Sequence, residues 1–113
     1  MKLPEQGQLL RVFIGEDDTY RGKPLYEAIV IKARELNLAG VTVLRGTMGF
    51  GASSRIHTAK ILRLSEDLPV IIEIVDVSEN IEKLIPFLDQ NVEEGLITRE
   101  NVEIVKYRHR KKN

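Results

Sequence analysis

The sequence predicts an α+β fold of the ferredoxin-like type, a βαββαβ sandwich in which a four-stranded antiparallel sheet carries two helices on one face. Two observations predict it. Four strand-like segments, rich in β-branched and other apolar residues, are interrupted by two segments whose apolar residues recur at helical spacing. The chain has 113 residues, 42% of them hydrophobic and 30% charged, which is an ordinary balance for a single globular domain over residues 1–113.

The first half of the chain predicts a strand, a helix and a second strand. Residues 9–14 are apolar on both faces and predict the first strand. Pro24 occupies a typical first position of a helix, where its missing N–H needs no partner, and the helix should end near Asn37. Gly40 then turns the chain into a strand beginning at Val41. The apolar stripe of the helix is formed by Leu25, Ile29, Ala33 and Leu36.

The second half predicts a strand and a helix before the last strand. Residues 70–77 form a strand that is apolar apart from Glu73 and Asp76. Ser78 is a suitable N-cap for the helix that follows, and Pro86 should kink this helix because it lacks a backbone donor. The apolar stripe of the second helix is formed by Ile81, Leu84, Ile85, Leu88 and Val92.

The end of the chain and the pattern of its strands together predict self-association. Residues 101–107 form the predicted fourth strand, and residues 108–113 a basic tail. Two helices can cover only one face of the sheet, yet the first and third strands are apolar on both faces. A large exposed apolar patch is rare on a soluble monomer. We therefore expect a homo-oligomer.

The composition restricts the classes of partner. The chain has 17 lysine and arginine residues and 17 aspartate and glutamate residues, so it lacks the positive net charge that would favour binding to nucleic acid. The chain has no cysteine, which excludes disulfides and thiolate metal sites. No apolar stretch is long enough to span a bilayer, and no charged-then-apolar leader opens the sequence. We expect a cytoplasmic protein with no membrane insertion and no nucleic-acid partner.

The best candidate for a binding site follows the second strand directly. Arg45 leads into Gly46, Gly49 and Gly51, and two serines and Arg55 come next. Glycine-rich turns expose N–H groups that attract anions, and guanidinium groups bind phosphate. The spacing matches neither the dinucleotide fingerprint nor the phosphate loop, which has Lys-Ser/Thr where this chain has Ala-Ser. A bulged hairpin whose glycines only relieve strain is the alternative.

Four stretches of the chain resemble PII-like signalling proteins, a small family related to nitrogen-regulatory PII and, more distantly, to the CutA proteins. They are residues 15–16 with 22–28, 40–43, 49–57 and 68–75, of which 49–57, beginning Gly-Phe-Gly, is the most specific. The resemblance implies a ferredoxin-like trimer with adenine nucleotides in the clefts between subunits. It also implies that residues 49–69 form a long loop, the T-loop, that contacts an unidentified target protein.

The resemblance implies roles for individual residues. Thr42 matches a threonine near the adenine, and Glu73 and Val75 match residues of the strand that lines the base. Gly49, Phe50 and Gly51 match the T-loop base beside the phosphates. Arg108, at the start of the basic tail, could contact phosphate across a subunit boundary, as C-terminal arginines do in PII. No catalytic residue and no metal site is predicted.

Two departures from PII limit the expected ligand. Residues 52–54 are Ala-Ser-Ser where PII has a basic residue, and residues 95–99 lack the PII phosphate loop Gly-Asp-Gly-Lys. We therefore expect ADP or AMP rather than Mg-ATP. Two alternatives remain open: a trimeric CutA-like structural protein without nucleotide function, and a small phosphoryl- or acyl-transfer enzyme that uses Arg55.

Overall fold

The computed structural model of the chain describes residues 6–50, 67–108 and 110. In chain order its elements are β1 (Gln6–Gly15), β2 (Thr19–Tyr20), β3 (Lys23–Pro24), α1 (Leu25–Glu35), β4 (Thr42–Arg45), β5 (Pro69–Asp76), α2 (Ser78–Asn91) and β6 (Leu96–Glu103). Within these ranges, four strands form an antiparallel sheet in the order β4-β5-β1-β6, and β2 pairs with β3 in a small hairpin. The predicted α+β fold is confirmed.

The helices cover one face of this sheet, as predicted. Burial alternates along β1, so that Leu10, Val12 and Ile14 point into the core between sheet and helices. Strand β5 alternates in the same way. The remaining core residues come from both helices and from β5: Leu25, Ile29, Ala33, Ile81, Leu84, Leu88, Val70, Ile72 and Ile74.

The opposite face of the sheet carries no helix within the described part of the chain. Residues directly opposite each other in antiparallel strands share a face. The register therefore groups on this face, called the open face below, Leu9, Arg11, Phe13, Thr42, Leu44, Ile71, Glu73, Val75, Leu96, Thr98 and Glu100. Leu44, Val75 and Leu96 are 44%, 39% and 56% exposed. The open face is thus largely apolar, with charged residues at its centre.

The fourth strand was predicted five residues too late. It was expected at residues 101–107, but β6 runs from Leu96 to Glu103. Its register with β1 pairs Leu96 with Phe13 and Glu103 with Gln6. Nearly all of its residues are exposed, because β6 is an edge strand of the sheet and has no run of apolar residues that alternates with its pleat. Residues 104–108 follow it without regular structure.

The ends of the helices also differ slightly from the prediction. Helix α1 begins one residue after Pro24, because Pro24 already pairs with Thr19 in the hairpin. Val77, not Ser78, precedes α2, and the Ser78 hydroxyl accepts a 3.0 Å hydrogen bond from Arg99. Helix α2 continues through Pro86 to Asn91. No helix in the described ranges is long and apolar enough to cross a membrane.

Candidate functional site

Three of the predicted phosphate-binding residues, Arg45, Gly46 and Gly49, lie where β4 ends and β5 begins. The Gly46 N–H donates a 2.7 Å hydrogen bond to the Pro69 carbonyl. A Cβ added at Gly46 would lie 2.6 Å from Pro69 Cγ, and one at Gly49 would lie 3.1 Å from the same atom. Glycine at these two positions therefore permits the close approach of the two segments.

The turn after β1 fastens the start of β5 from the other side. The Glu16 N–H donates to the Leu68 carbonyl at 2.8 Å, and the Asp17 N–H donates to the Asp67 carboxylate at 2.8 Å. Residues 15–18, 45–46 and 67–69 thus form one hydrogen-bonded unit, called the loop root below. Among the described residues, no group of three or more acidic or histidine side chains is arranged to hold a metal ion.

Arg45 is already paired with an anion in this unit. Its guanidinium forms an ion pair with the Glu16 carboxylate across the start of β5. The Arg45 side chain is 59% exposed and that of Glu16 is 26% exposed. Solvent and ligands can therefore reach Arg45, but the Glu16 carboxylate already contacts its guanidinium donors.

The acidic side chains of the loop root influence one another. Burial raises the pKa of Asp18 above its usual value, and the negative charges of Asp67, Glu94 and Asp17 raise it further. The 3.0 Å hydrogen bond that its carboxylate accepts from the Gly15 N–H acts in the opposite direction. The loop root therefore disfavours additional negative charge in the vicinity of Asp18.

The residues predicted to line the base lie together on the open face. Thr42 stands opposite Glu73 in the β4–β5 register, and Val75 follows two positions later on the same face. The Glu73 carboxylate accepts a 2.9 Å hydrogen bond from Arg11 Nε, and Arg11 Nη1 donates to Glu100 at 3.0 Å. The hydrogen bond to Glu73 raises the pKa of Arg11 above its ordinary value. Glu73 is thus engaged by a partner that the sequence alone did not assign to it.

An open cleft of about 480 Å³ lies between α1, the turn before β4 and the segment after β6. Its wall includes Val41, which directly precedes Thr42, and Tyr107, which directly precedes Arg108. The Tyr107 hydroxyl donates to the Ala39 carbonyl at 3.0 Å and so holds the C-terminal segment against the turn. Val41 and Tyr107, each next in sequence to a predicted site residue, therefore line the same cleft.

A buried carboxylate supports this cleft from behind. Asp76 is fully buried at the end of β5. It accepts hydrogen bonds from the Ala39 N–H at 2.8 Å, the Val77 N–H at 2.7 Å and the Asn80 amide at 2.9 Å. One side chain therefore joins the turn before β4 to the start of α2.

The predicted site residues separate into two groups. Arg45 is paired with the buried Val70, so its side chain leaves the sheet on the helix-covered face, whereas Thr42 lies on the open face. At about 3.3 Å per residue, roughly 10 Å of β4 separates these two residues. Phe50 is 77% exposed beside the loop root. Gly51 and Arg55, which were also predicted to contact phosphate, lie outside the described residues, as does most of the predicted 49–69 loop.

A second, larger open cleft of about 910 Å³ contains none of the predicted residues. The Tyr20 and Phe87 rings lie in its wall with their centroids 5.4 Å apart. Arg21 lies over the first ring and Lys32 over the second. The rings are therefore already covered by cations of this chain.

Sequence reasoning missed several residues of the site. Arg11 could have been noticed in the sequence, because it is a charged residue within the otherwise apolar first strand. A charge in such a position requires a partner. Nothing in the sequence marked Glu16 as a partner of Arg45, since an acidic residue in a turn is ordinary. Tyr107 was assigned to a strand. Its contact with Ala39 depends on the path of the chain after β6.

The chain is similar to known proteins over most of its length. Residues 7–104 match the model of the family DUF190, described as "Uncharacterized ACR". A UPF0166 protein of Aquifex aeolicus is 38% identical over 98 residues, covering 87% of this chain and 92% of that protein. A UPF0166 protein of Methanocaldococcus jannaschii is 34% identical over 93 residues, covering 81% and 85%.

Solved structures share the fold at low sequence identity. The structure of CPII from Thiomonas intermedia, bound to ADP and bicarbonate, aligns with a TM-score of 0.67 at 13% identity, covering 89% of this chain and 90% of CPII. A PII-like signalling protein from Thermus thermophilus aligns with a TM-score of 0.60 at 16% identity, covering 88% and 90%. The matched family and the shared fold confirm the resemblance identified in the sequence: the chain belongs to the DUF190 (UPF0166) family, which has a PII-like fold.

Proposed function

We propose that this protein is a PII-like regulator that binds an adenine nucleotide, ADP or AMP rather than Mg-ATP, between copies of the chain. In this proposal the base lies against Thr42 and Val75 on the open face. The phosphates lie against the backbone N–H groups of residues 49–51, with guanidinium groups from Arg45, Arg55 and, across the subunit boundary, Arg108. The bound nucleotide changes the population of loop conformations over residues 49–69 that an unidentified target protein recognises.

The separation of the two groups of predicted residues is the observation that carries the proposal. In one chain a nucleotide would have to bend around the edge of β4 to touch both Thr42 and Arg45, whose side chains leave opposite faces. A second copy packed on the open face removes this requirement, because each copy then supplies one group. The apolar surface of the open face supports self-association on independent grounds. We propose that the assembly is a trimer.

The comparisons support the nucleotide and the regulatory role. CPII, which shares the fold, was solved with ADP bound, and the other structure is named a PII-like signalling protein. None of the four similar proteins is named as an enzyme. A regulatory binding protein therefore agrees better with these names than a transferase does.

Thermal melts with AMP, ADP, ATP and no ligand test this function. A ligand that binds only the folded protein raises Tm by an amount that grows with its concentration. We expect ADP or AMP to raise Tm more than Mg-ATP. Absence of any shift at millimolar nucleotide would contradict the proposal and favour the CutA-like structural alternative. Turnover of ATP or acetyl phosphate that is lost in Arg55→Ala would favour the enzyme.

A further inference from the structure

Glu16 holds a position that an anionic ligand of Arg45 would need. The two side chains form an ion pair in which the arginine is 59% exposed and the glutamate 26% exposed. A guanidinium binds carboxylate and phosphate through the same planar set of donors. A phosphate can therefore reach Arg45 from solvent. It forms the bidentate pair of hydrogen bonds with the guanidinium only if the Glu16 carboxylate moves away from those donors.

The backbone of Glu16 cannot easily move to make room. Its N–H is bound to the Leu68 carbonyl, and the next N–H, that of Asp17, is bound to the Asp67 carboxylate. On the other side, Gly46 is bound to Pro69, which fixes the residue next to Arg45. Both members of the ion pair are thus mounted on the same hydrogen-bonded unit. Exchange of one anion for another at Arg45 therefore requires rotation of a side chain, that of Glu16 or that of Arg45, rather than movement of the backbone.

The charge of the loop root adds to this competition. The unit contains the carboxylates of Glu16, Asp17, Asp18 and Asp67, and its one guanidinium is that of Arg45. Burial raises the pKa of Asp18 most, and the negative charges of Asp67 and Asp17 in this unit, with that of Glu94 outside it, raise it further. Each further negative charge on a ligand at Arg45 meets the same repulsion. The cost of binding therefore grows with the charge of the phosphate chain.

We propose that Glu16 is a built-in competitor of the nucleotide phosphate for Arg45 and that it selects against highly charged phosphate chains. This inference rests on the proposed nucleotide site and adds a specificity-determining residue to it. Neutralising Glu16 should strengthen binding of every adenine nucleotide, and should do so most for ATP and least for AMP.

Calorimetric titrations of the full chain with AMP, ADP and ATP test the proposal. Glu16→Gln should lower the Kd for ADP roughly two- to fivefold, the range expected for loss of one partly exposed ion pair. The gain should increase in the order AMP, ADP, ATP. Glu79→Gln is the matched control, because Glu79 lies in the first turn of α2, which follows the opposite end of β5, and its removal should leave all three Kd values unchanged.

A double variant separates competition for Arg45 from a general effect of charge. In an Arg45→Ala background, Glu16→Gln should improve the Kd for ADP less than it does in the wild type, because only charge repulsion is then relieved and no guanidinium is released. An equal improvement in both backgrounds would overturn competition for Arg45. If Glu16→Gln does not fold, Glu16→Asp replaces it, since the shorter side chain weakens the ion pair while it keeps the charge. If the wild-type protein binds ADP and the folded Glu16 variant binds it no more tightly, this inference alone is overturned. Failure of the wild-type protein to bind any adenine nucleotide would overturn the proposed function, and this inference with it.

Discussion

The Arg11 guanidinium donates a 2.9 Å hydrogen bond to the Glu73 carboxylate at the centre of the open face. A second donor of the same side chain lies 3.0 Å from Glu100, so one cation joins three neighbouring strands. Leu9 and Phe13 lie two positions to either side along β1. An apolar surface with internally paired charges at its centre can be covered by a second copy without leaving an isolated charge buried.

Reversing the charge of Arg11 should weaken self-association. Arg11→Glu places three carboxylates next to one another on the open face, and like charges in a contact surface cost several kcal/mol. Light scattering or sedimentation at micromolar concentration should therefore detect a smaller species. Lys83→Glu, an equal charge change on the exposed side of α2, should leave the assembly intact. An Arg11→Glu protein that assembles like the wild type would exclude the open face as the contact surface.

Removing the Asp76 carboxylate should destabilise the chain strongly. Asp76→Ala leaves the Ala39 and Val77 N–H groups and the Asn80 amide without their acceptor. Leaving these donors without an acceptor should cost about 2–4 kcal/mol in total, which lowers Tm by roughly 10 °C or more. Asp76→Asn, which keeps one acceptor oxygen, should cost less. Asp89→Ala is the control, because Asp89 is exposed on α2 and should change Tm little. A melt of Asp76→Ala that matches the wild type would refute this account of the turn.

A methyl group at Gly46 should strain the loop root. The added Cβ would lie 2.6 Å from Pro69 Cγ, so Gly46→Ala should reduce the free energy of unfolding by about 1–3 kcal/mol. Gly40→Ala should be neutral or slightly stabilising, since nothing lies within 4 Å of a Cβ at that position. Denaturant melts measure both. Because Pro69→Ala removes the clashing atom, the double variant with Gly46→Ala should lose less stability than the sum of the two single changes. Simple additivity would show that the contact is not the cause.

Asp18 should make stability depend on pH in a defined direction. Its pKa is raised in the folded chain, chiefly by burial, so folding favours the protonated form. The contribution of Asp18 is therefore most favourable below the usual carboxyl pKa, and it is lost as the pH rises through the raised value.

Asp18→Asn should accordingly raise Tm at pH 7 and change it little near pH 3. Asparagine keeps an acceptor for the Gly15 N–H but carries no charge. The gain should stay below about 1 kcal/mol, because the group is partly solvated and its neighbours are screened. A variant that is less stable than the wild type at pH 7 would contradict this direction.

The sequence predicted those elements whose burial pattern is local. β1, α1, β5 and α2 each carry apolar residues at their own period, and each was located to within a few residues. The prediction of β6 was wrong because this strand is held by its pairing with β1 and not by an apolar pattern of its own. Arg99 on this strand also donates hydrogen bonds to Gln8 and Glu82, which belong to other elements. The β2–β3 hairpin was not predicted. It turns at Arg21 and Gly22, both of which have positive φ.

The sequence indicated the candidate site only through local features, and not through contacts between residues that are distant in the chain. Gly46 and Gly49 were identified because glycines close to a strand end are informative alone, and the structure gives them a close approach to Pro69. The partners Glu16 and Arg11 required the register and the order of the strands. The sequence predicts Arg45 as a phosphate ligand, but only the fold brings Glu16 to it.

Native mass spectrometry of the wild-type protein with and without ADP tests the central claim most directly, because one spectrum reports both assembly and ligand. The account predicts that ADP adds to the assembled protein, expected as a trimer, with one nucleotide per chain at saturation, and that isolated chains carry none. Isolated chains that bind ADP as well as the assembly does, or an assembly that stays free of ADP at saturating concentration, would contradict a nucleotide site formed between copies of this chain.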